Sequence, residues 1–183
     1  MAALRLNHPL RRMFAGMAEH TFVAMLGIGD PPVVDYLSEL LSRFLRMDDM
    51  YRLRGEGGRR LEDVGEMLLE AEGLPPGGRT RREFFRHIGD FTLFWTGVYP
   101  EALERMRSRF TKDFFIDYCE QGKRSYYIAS TFEEEPYEAE APVLRRLSSN
   151  FELFSYGLRQ VRKEWEQQQQ PEMADAAGRR LIQ

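Results

Sequence analysis

Apolar residues recur along most of this chain at alternating steps of three and four, the spacing that gathers side chains on one face of an α-helix. The first such run is Leu10, Phe14, Met17, Thr21 and Ala24. It follows Asn7, a side chain able to cap free helix amides, and Pro9, which suits a first turn. Gly27, Gly29 and Pro31-Pro32 interrupt the run, and Asp30 is placed to cap the next helix. There Val33, Leu37, Leu40, Phe44 and Met47 form a stripe that Leu41 and Leu45 widen, which predicts a helix buried against two neighbours. After Gly55, Gly57 and Gly58, a shorter run of Leu61, Val64, Leu68 and Ala71 ends in the stretch from Gly73 to Gly78 that contains Pro75 and Pro76.

Thr80 and Glu83 have the spacing of a capping box, predicting a helix from Arg81 to about Thr96. Phe84, Ile88, Phe91 and Trp95 fall on one line of it and Phe85, Thr92 and Phe94 broaden that line, so it should be the most buried helix. Pro100, Leu103, Met106 and Phe110 predict a short helix after a bend at Gly97 to Tyr99. From about Lys112 a further helix puts Phe114, Tyr118, Gln121, Ser125 and Ile128 on one face. Phe115, Cys119, Gly122, Tyr126 and Ala129 line the adjacent face, whose small members permit close helix contact. Glu133, Glu134 and Glu135 before Pro136 mark a solvated loop.

From Pro142, the residues Leu144, Leu147, Phe151, Phe154, Leu158, Val161 and Trp165 keep the alternation for three heptads. This seam suits either the protein's own bundle or the same helix of a second subunit. In the second case Leu147, Phe151, Phe154, Leu158 and Trp165 form a homodimer interface. Beyond Gln167 the period is lost. The pattern therefore predicts an all-α, single-domain bundle of six or seven helices over residues 1–166 with an aromatic-rich central helix. A flexible polar tail follows over 167–183.

Composition narrows the setting. With 43% apolar residues in 183, the chain can fill one core and no more than one is expected. A net charge of −3 spread over mixed signs argues against nucleic acid as a partner. Cys119 is the sole cysteine, which rules out an intrachain disulfide. The N-terminal residues lack a secretory pattern, and no apolar run approaches the roughly 18 to 20 residues that a bilayer requires. A cytoplasmic protein without membrane contact is expected.

Chemistry concentrates in His87-Ile88-Gly89-Asp90 and its aromatic continuation. Glu83, His87 and Asp90 share one side of a helix, but no second Glu-x-x-His pair accompanies them, so surface ion pairing explains them better than a metal. Asp90 is flanked by Gly89, Phe91 and Phe94, and a carboxylate in such surroundings must be paired or shift its pKa. Its candidate partners are Arg124, Tyr118 or Tyr126 on the following helix, or an amide at a neighbouring helix end. Together with His87 and Asp117 they outline either a structural pair or the wall of a small-ligand pocket.

Cys119 has no adjacent histidine to activate it, and His20 alone makes no haem site. The arginines at 52, 54, 59, 60, 79, 81, 82 and 86 are interleaved with acids and read as a mixed solvated surface, with an anion or phosphorylated partner at the start of the aromatic helix as the alternative. Phosphate loops, dinucleotide fingerprints and serine elbows are missing from the sequence, so the reading leans away from an enzyme and assigns no catalytic residue or cofactor.

The run Ile88-Gly89-Asp90-Phe91-Thr92-Leu93-Phe94 with Gly97, Tyr99, Pro100 and Glu101, followed by Asp117-Tyr118, Gly122, Ser125 and Tyr126, resembles a group of bacterial hypothetical proteins with no assigned activity. The resemblance runs loosely from Tyr36 to Val161 and implies one helical unit. Gly89-Asp90 also resembles the Gly-Asp step of haem-degrading bundles, although Phe91-Thr92-Leu93-Phe94 replaces their glycine-rich continuation. The expected role is a protein-interaction or regulatory module, acting on a protein partner or on a second copy. The alternative is a bundle that binds a small ligand or a haem-like cofactor around Asp90, Tyr118 and Tyr126.

Overall fold

Hydrogen bonding and burial sort the periodic runs into nine α-helices in the computed structural model, which describes residues 9–109 and 117–180. Over those residues the chain is all-α, and an isolated bridge between Arg54 and Arg60 is the one β-type pairing. The expectations for Asn7, Phe110 and residues 112–115 lie outside the described residues, as do the side chains of Leu10, Met47 and Met106.

The first helix, α1 (Pro9–Ala18), continues as a π-helical stretch, Glu19–Met25. The wider winding is visible where the Leu26 amide donates to the Thr21 carbonyl at 3.0 Å. It rotates the last turn away from the strict helical period. Phe22 and Thr21 are buried while Ala24, expected on the inner face, is exposed. In α2 (Pro31–Phe44) the Asp30 carboxylate accepts from the Val33 amide, and Val33, Leu37, Leu40, Leu41 and Phe44 are buried as their spacing predicts. Leu45 falls past the helix end and is exposed. A one-turn helix, α3 (Met47–Met50), and a glycine-rich loop lead to α4 (Val64–Gly73), capped by Asp63 and buried through Val64, Met67 and Ala71.

The central helix is α5 (Arg79–Val98), which touches α2, α4, α7 and α9 as well as the helix that follows it, α6 (Pro100–Arg109). Here α7 is Tyr118–Ser130, α8 is Ala141–Ser149 and α9 is Phe151–Arg180. Phe84, Phe85, Ile88, Phe91, Thr92 and Phe94 are buried as the aromatic line predicts, whereas Trp95, at its end, is only partly buried. Its start differs from the expected capping box. Gly78 occupies the cap position, Thr80 lies inside the first turn, and Glu83 turns instead to neighbouring arginines. A helix beginning two residues earlier leaves the Thr80 hydroxyl no free amide to cap.

The final seam belongs to two helices, because Asn150, at φ −124° and ψ 33°, leaves the helical conformation between α8 and α9. One non-helical residue does not shift the heptad phase, so the sequence reads through it. Leu144, Leu147, Phe151, Phe154, Leu158 and Val161 all lie in the protein's own core, and Trp165 packs edge-on against Phe14 with ring centroids 5.6 Å apart. The seam thus faces inward. Of the residues expected at a homodimer interface, Leu147, Phe151, Phe154 and Leu158 are buried within this chain and Trp165 is partly buried. The helical backbone of α9 runs on past residue 166 to Arg180.

Glycines set how closely the helices approach. A Cβ on Gly122 would lie 2.4 Å from the Phe151 ring and 2.5 Å from the Thr92 hydroxyl, and one on Gly157 would lie 2.1 Å from Phe22. These contacts bring α7 and α9 against α5 and the π-helical stretch closer than any side chain would allow. No helix among the described residues is long and apolar enough to cross a membrane.

Candidate functional site: a buried aspartate among arginines

Asp90 projects from the middle of α5 and is completely buried. A lone carboxylate there would be costly, and three donors from two other helices meet it. Tyr36 of α2 donates to Oδ1 at 2.6 Å, Tyr126 of α7 donates to the same oxygen at 2.9 Å, and Arg43 of α2 donates to Oδ2 at 3.1 Å. Gly89 makes the second bond possible, since a Cβ at that position would sit 2.6 Å from the Tyr126 ring. Burial pushes the Asp90 carboxyl upward, but Arg43, Arg86 and the Tyr36 hydroxyl outweigh it and hold the group below the usual carboxylate range. Both tyrosines move the other way: burial and the adjacent carboxylate raise the Tyr36 and Tyr126 hydroxyls well above their ordinary value, keeping them as donors.

Around this centre the charges alternate. Arg43 and Arg86 lie over the Tyr36 ring, with guanidinium carbons 5.9 and 5.4 Å from its centroid. Arg86 reaches Glu140, just before α8, at 2.9 Å, and the fully buried Arg82 binds the same carboxylate as well as Glu83 at 2.6 Å. Arg52, from the loop after α3, and Arg86 approach one oxygen of Glu83 at 3.6 and 3.8 Å, both longer than a hydrogen bond. Four guanidiniums therefore face three carboxylates. The buried Nε atoms of Arg43, Arg82 and Arg86 have no protein acceptor.

His87 closes the base of the cluster. Its Nδ1 accepts from Arg52 Nε at 3.1 Å, so Nε2 carries the proton and donates to the Met50 carbonyl at 2.9 Å. Both ring nitrogens are occupied. Burial and the neighbouring Arg52 lower its pKa from 6.5 to about 3, leaving a neutral imidazole. Because the folded value lies below the unfolded one, the unfolded chain binds the extra proton, and stability is lost as pH falls from 6.5 toward 3. At about pH 5 this one residue is expected to remove about 2 kcal/mol. Urea unfolding at neutral and acidic pH should show that loss in wild type and its absence in His87→Gln. An equal acid loss in both proteins would show that His87 is not the group responsible.

The structure brings together His87, Asp90 and Tyr126 and separates the other residues the sequence grouped with them. Asp117 is exposed and caps α7, accepting from the Cys119 and Glu120 amides at 2.9 and 3.1 Å. Arg124 points away from Asp90 and pairs with Glu72 at 2.8 Å. Tyr118 is buried two turns along α7 from Tyr126. Asp90 is thus a paired group inside the core, its oxygens engaged by protein donors. The partners that sequence reasoning missed are Tyr36 and Arg43. They stand seven residues apart, on one side of α2, and that spacing is the signal that could have found them.

Two surface clefts lie elsewhere. A groove of about 470 Å³ runs between the loop that precedes α5 and the loop between α7 and α8, lined by Pro76, Arg79, Ile128, Phe132, Glu133 to Glu135 and Tyr137 among others. Its walls are fixed. The Arg82 guanidinium stacks 3.8 Å from the Tyr137 ring, and Arg81 donates to the Ala71, Glu72 and Leu74 carbonyls, each at 3.1 Å. The second cleft, of about 280 Å³, contains Thr96, Cys119 and Tyr156. There burial and Glu152 push the Cys119 thiol up to about 11, which makes it a poor nucleophile.

No family model matches this chain, and no curated protein or solved structure shows a significant match.

Proposed function

We propose that the protein is a protein-interaction module that offers the groove between residues 76 and 137 to an extended segment of a partner. The observation that carries this reading is the groove's make-up. It has an apolar floor of Ile128, Phe132 and Tyr137, walls pinned by Arg81 and Arg82, and an acidic lip. On that lip Arg145 neutralises Glu133 at 2.7 Å, while Glu134 and Glu135 are exposed and form no ion pair among the described residues. Volumes of several hundred cubic ångströms with pre-formed walls suit recognition with little ordering cost. The lip selects for charge, so the fitting partner is a peptide segment in which an apolar side chain is flanked by lysine or arginine.

The test is a photo-crosslinking residue placed at Phe132 in living cells, with the same residue at Arg159, in the second cleft, as control. A discrete protein adduct at 132, missing at 159 and lost when Glu134→Lys and Glu135→Lys are added, is the expected result. An adduct indifferent to that charge reversal, or none, overturns the reading.

A further inference from the structure

In the cluster over Asp90 four guanidiniums meet three carboxylates, an excess of one positive charge, and three of the four guanidiniums are partly exposed. Asp90 is fully buried, yet the side chains of Arg86, Arg43 and Arg52 are 15%, 25% and 37% exposed. The three come from α5, the end of α2 and the loop after α3, so they converge by folding and not by sequence. Among the described residues Arg43 ion-pairs with Asp90 alone, and the buried Nε of Arg43 and of Arg86 have no acceptor there. Glu83 could have filled the gap. Its carboxylate is instead drawn to Arg82 at 2.6 Å and stands 3.6 and 3.8 Å from Arg52 and Arg86.

We infer that Arg43, Arg52 and Arg86 form a binding site for a phosphoryl group of a small molecule. Several features favour that chemistry. Guanidiniums from three directions suit a tetrahedral group, whereas a planar carboxylate is best met by one fork. Guanidiniums cannot shed their protons to relieve mutual repulsion, so the one positive charge left over by four guanidiniums and three carboxylates favours an incoming anion. Asp90 and the tyrosines beneath hold Arg43 in place, which spares the site the cost of ordering that side chain on binding. His87, neutral and bonded to Arg52, orients the third guanidinium without adding charge of its own. The site lies apart from the groove, so it neither rests on the interaction reading nor falls with it.

Calorimetry with inorganic phosphate and with pyrophosphate, at ionic strength held constant with chloride, tests this directly. Saturable binding at millimolar concentration or below is expected, with a matching rise in melting temperature over chloride. Arg52→Gln, the most exposed of the three, should weaken phosphate by about tenfold, a loss of about 1.4 kcal/mol in binding. Arg52→Lys retains the charge but not the fork and should fall between. Melting in chloride alone reports whether either variant still folds, and if Arg52→Gln does not, Arg52→Lys carries the comparison. Arg60→Gln, an exposed arginine paired with Asp48, should bind phosphate as wild type does. The inference is overturned by the absence of saturable binding to wild type, by equal weakening in Arg60→Gln, or by tighter binding of malonate than of either phosphate.

Discussion

Replacing Asp90 with asparagine is expected to lower the stability of the protein by about 3–5 kcal/mol, the range for breaking a buried ion pair from one side. The substitution preserves the shape of the side chain and an oxygen for Tyr36 and Tyr126 to donate to. What it removes is the charge. Arg43, whose ion pair is with Asp90 at 3.1 Å, is left without a counter-ion, and Arg86 loses the carboxylate that helps hold it. Much of the cost belongs to the stranded Arg43 guanidinium, since Arg86 keeps Glu140, so Asp90→Asn combined with Arg43→Gln should cost less than the sum of the two single changes.

Urea unfolding of the four proteins of this cycle measures the coupling. A loss under about 1 kcal/mol in Asp90→Asn would mean that the native carboxyl is already neutral and that no ion pair exists to break. The pH dependence has a definite sign. A carboxyl whose folded value is depressed adds stability above its unfolded pKa of about 3.9, and that stability goes as pH falls through the folded value. The gap between wild type and Asp90→Asn should therefore be full at neutral pH and close only in strong acid.

The parts of this molecule that were legible in the sequence are those governed by local geometry. Asp30 caps α2 as its position predicts, and the aromatic line from Phe84 to Trp95 is buried, apart from the partly exposed Trp95, because helical spacing puts it on one face. The need to pair Asp90 followed from its apolar flanks. The identity of the partners did not follow, since periodicity says which face is covered but not by what. Tyr36 and Arg43 lie 54 and 47 residues away in sequence.

Arg124 and Tyr126 are two residues apart and so leave α7 in nearly opposite directions, and only one of them reaches Asp90. It is Tyr126, because Gly89 opposite leaves room for its ring. The break at Asn150 and the π-helical stretch escaped for a different reason. A single residue outside the helical conformation, or one wider turn, changes the path of the backbone while leaving the spacing of apolar residues almost intact.

The change from phenylalanine to glutamate at position 154 is expected to have the larger effect, because it distinguishes a seam packed inside the protein from one shared between copies. Phe154 is 4% exposed, its ring 6.1 Å from that of Phe22, and Phe22 in turn is seated on the bare backbone of Gly157. Removing a buried phenylalanine costs about 3–5 kcal/mol, and a carboxylate with no partner in that space adds several more. The sum approaches the whole stability of a domain this size, about 5–15 kcal/mol. Phe154→Glu should therefore be unfolded or close to it at room temperature. Tyr156→Glu, two residues on and half exposed, should stay within about 0.5 kcal/mol of wild type. Far-ultraviolet dichroism with sedimentation reads both quantities together. A Phe154→Glu protein that keeps its helices and melts like wild type, changing only in subunit number, would place this face between two molecules and reverse the packing described for α8 and α9.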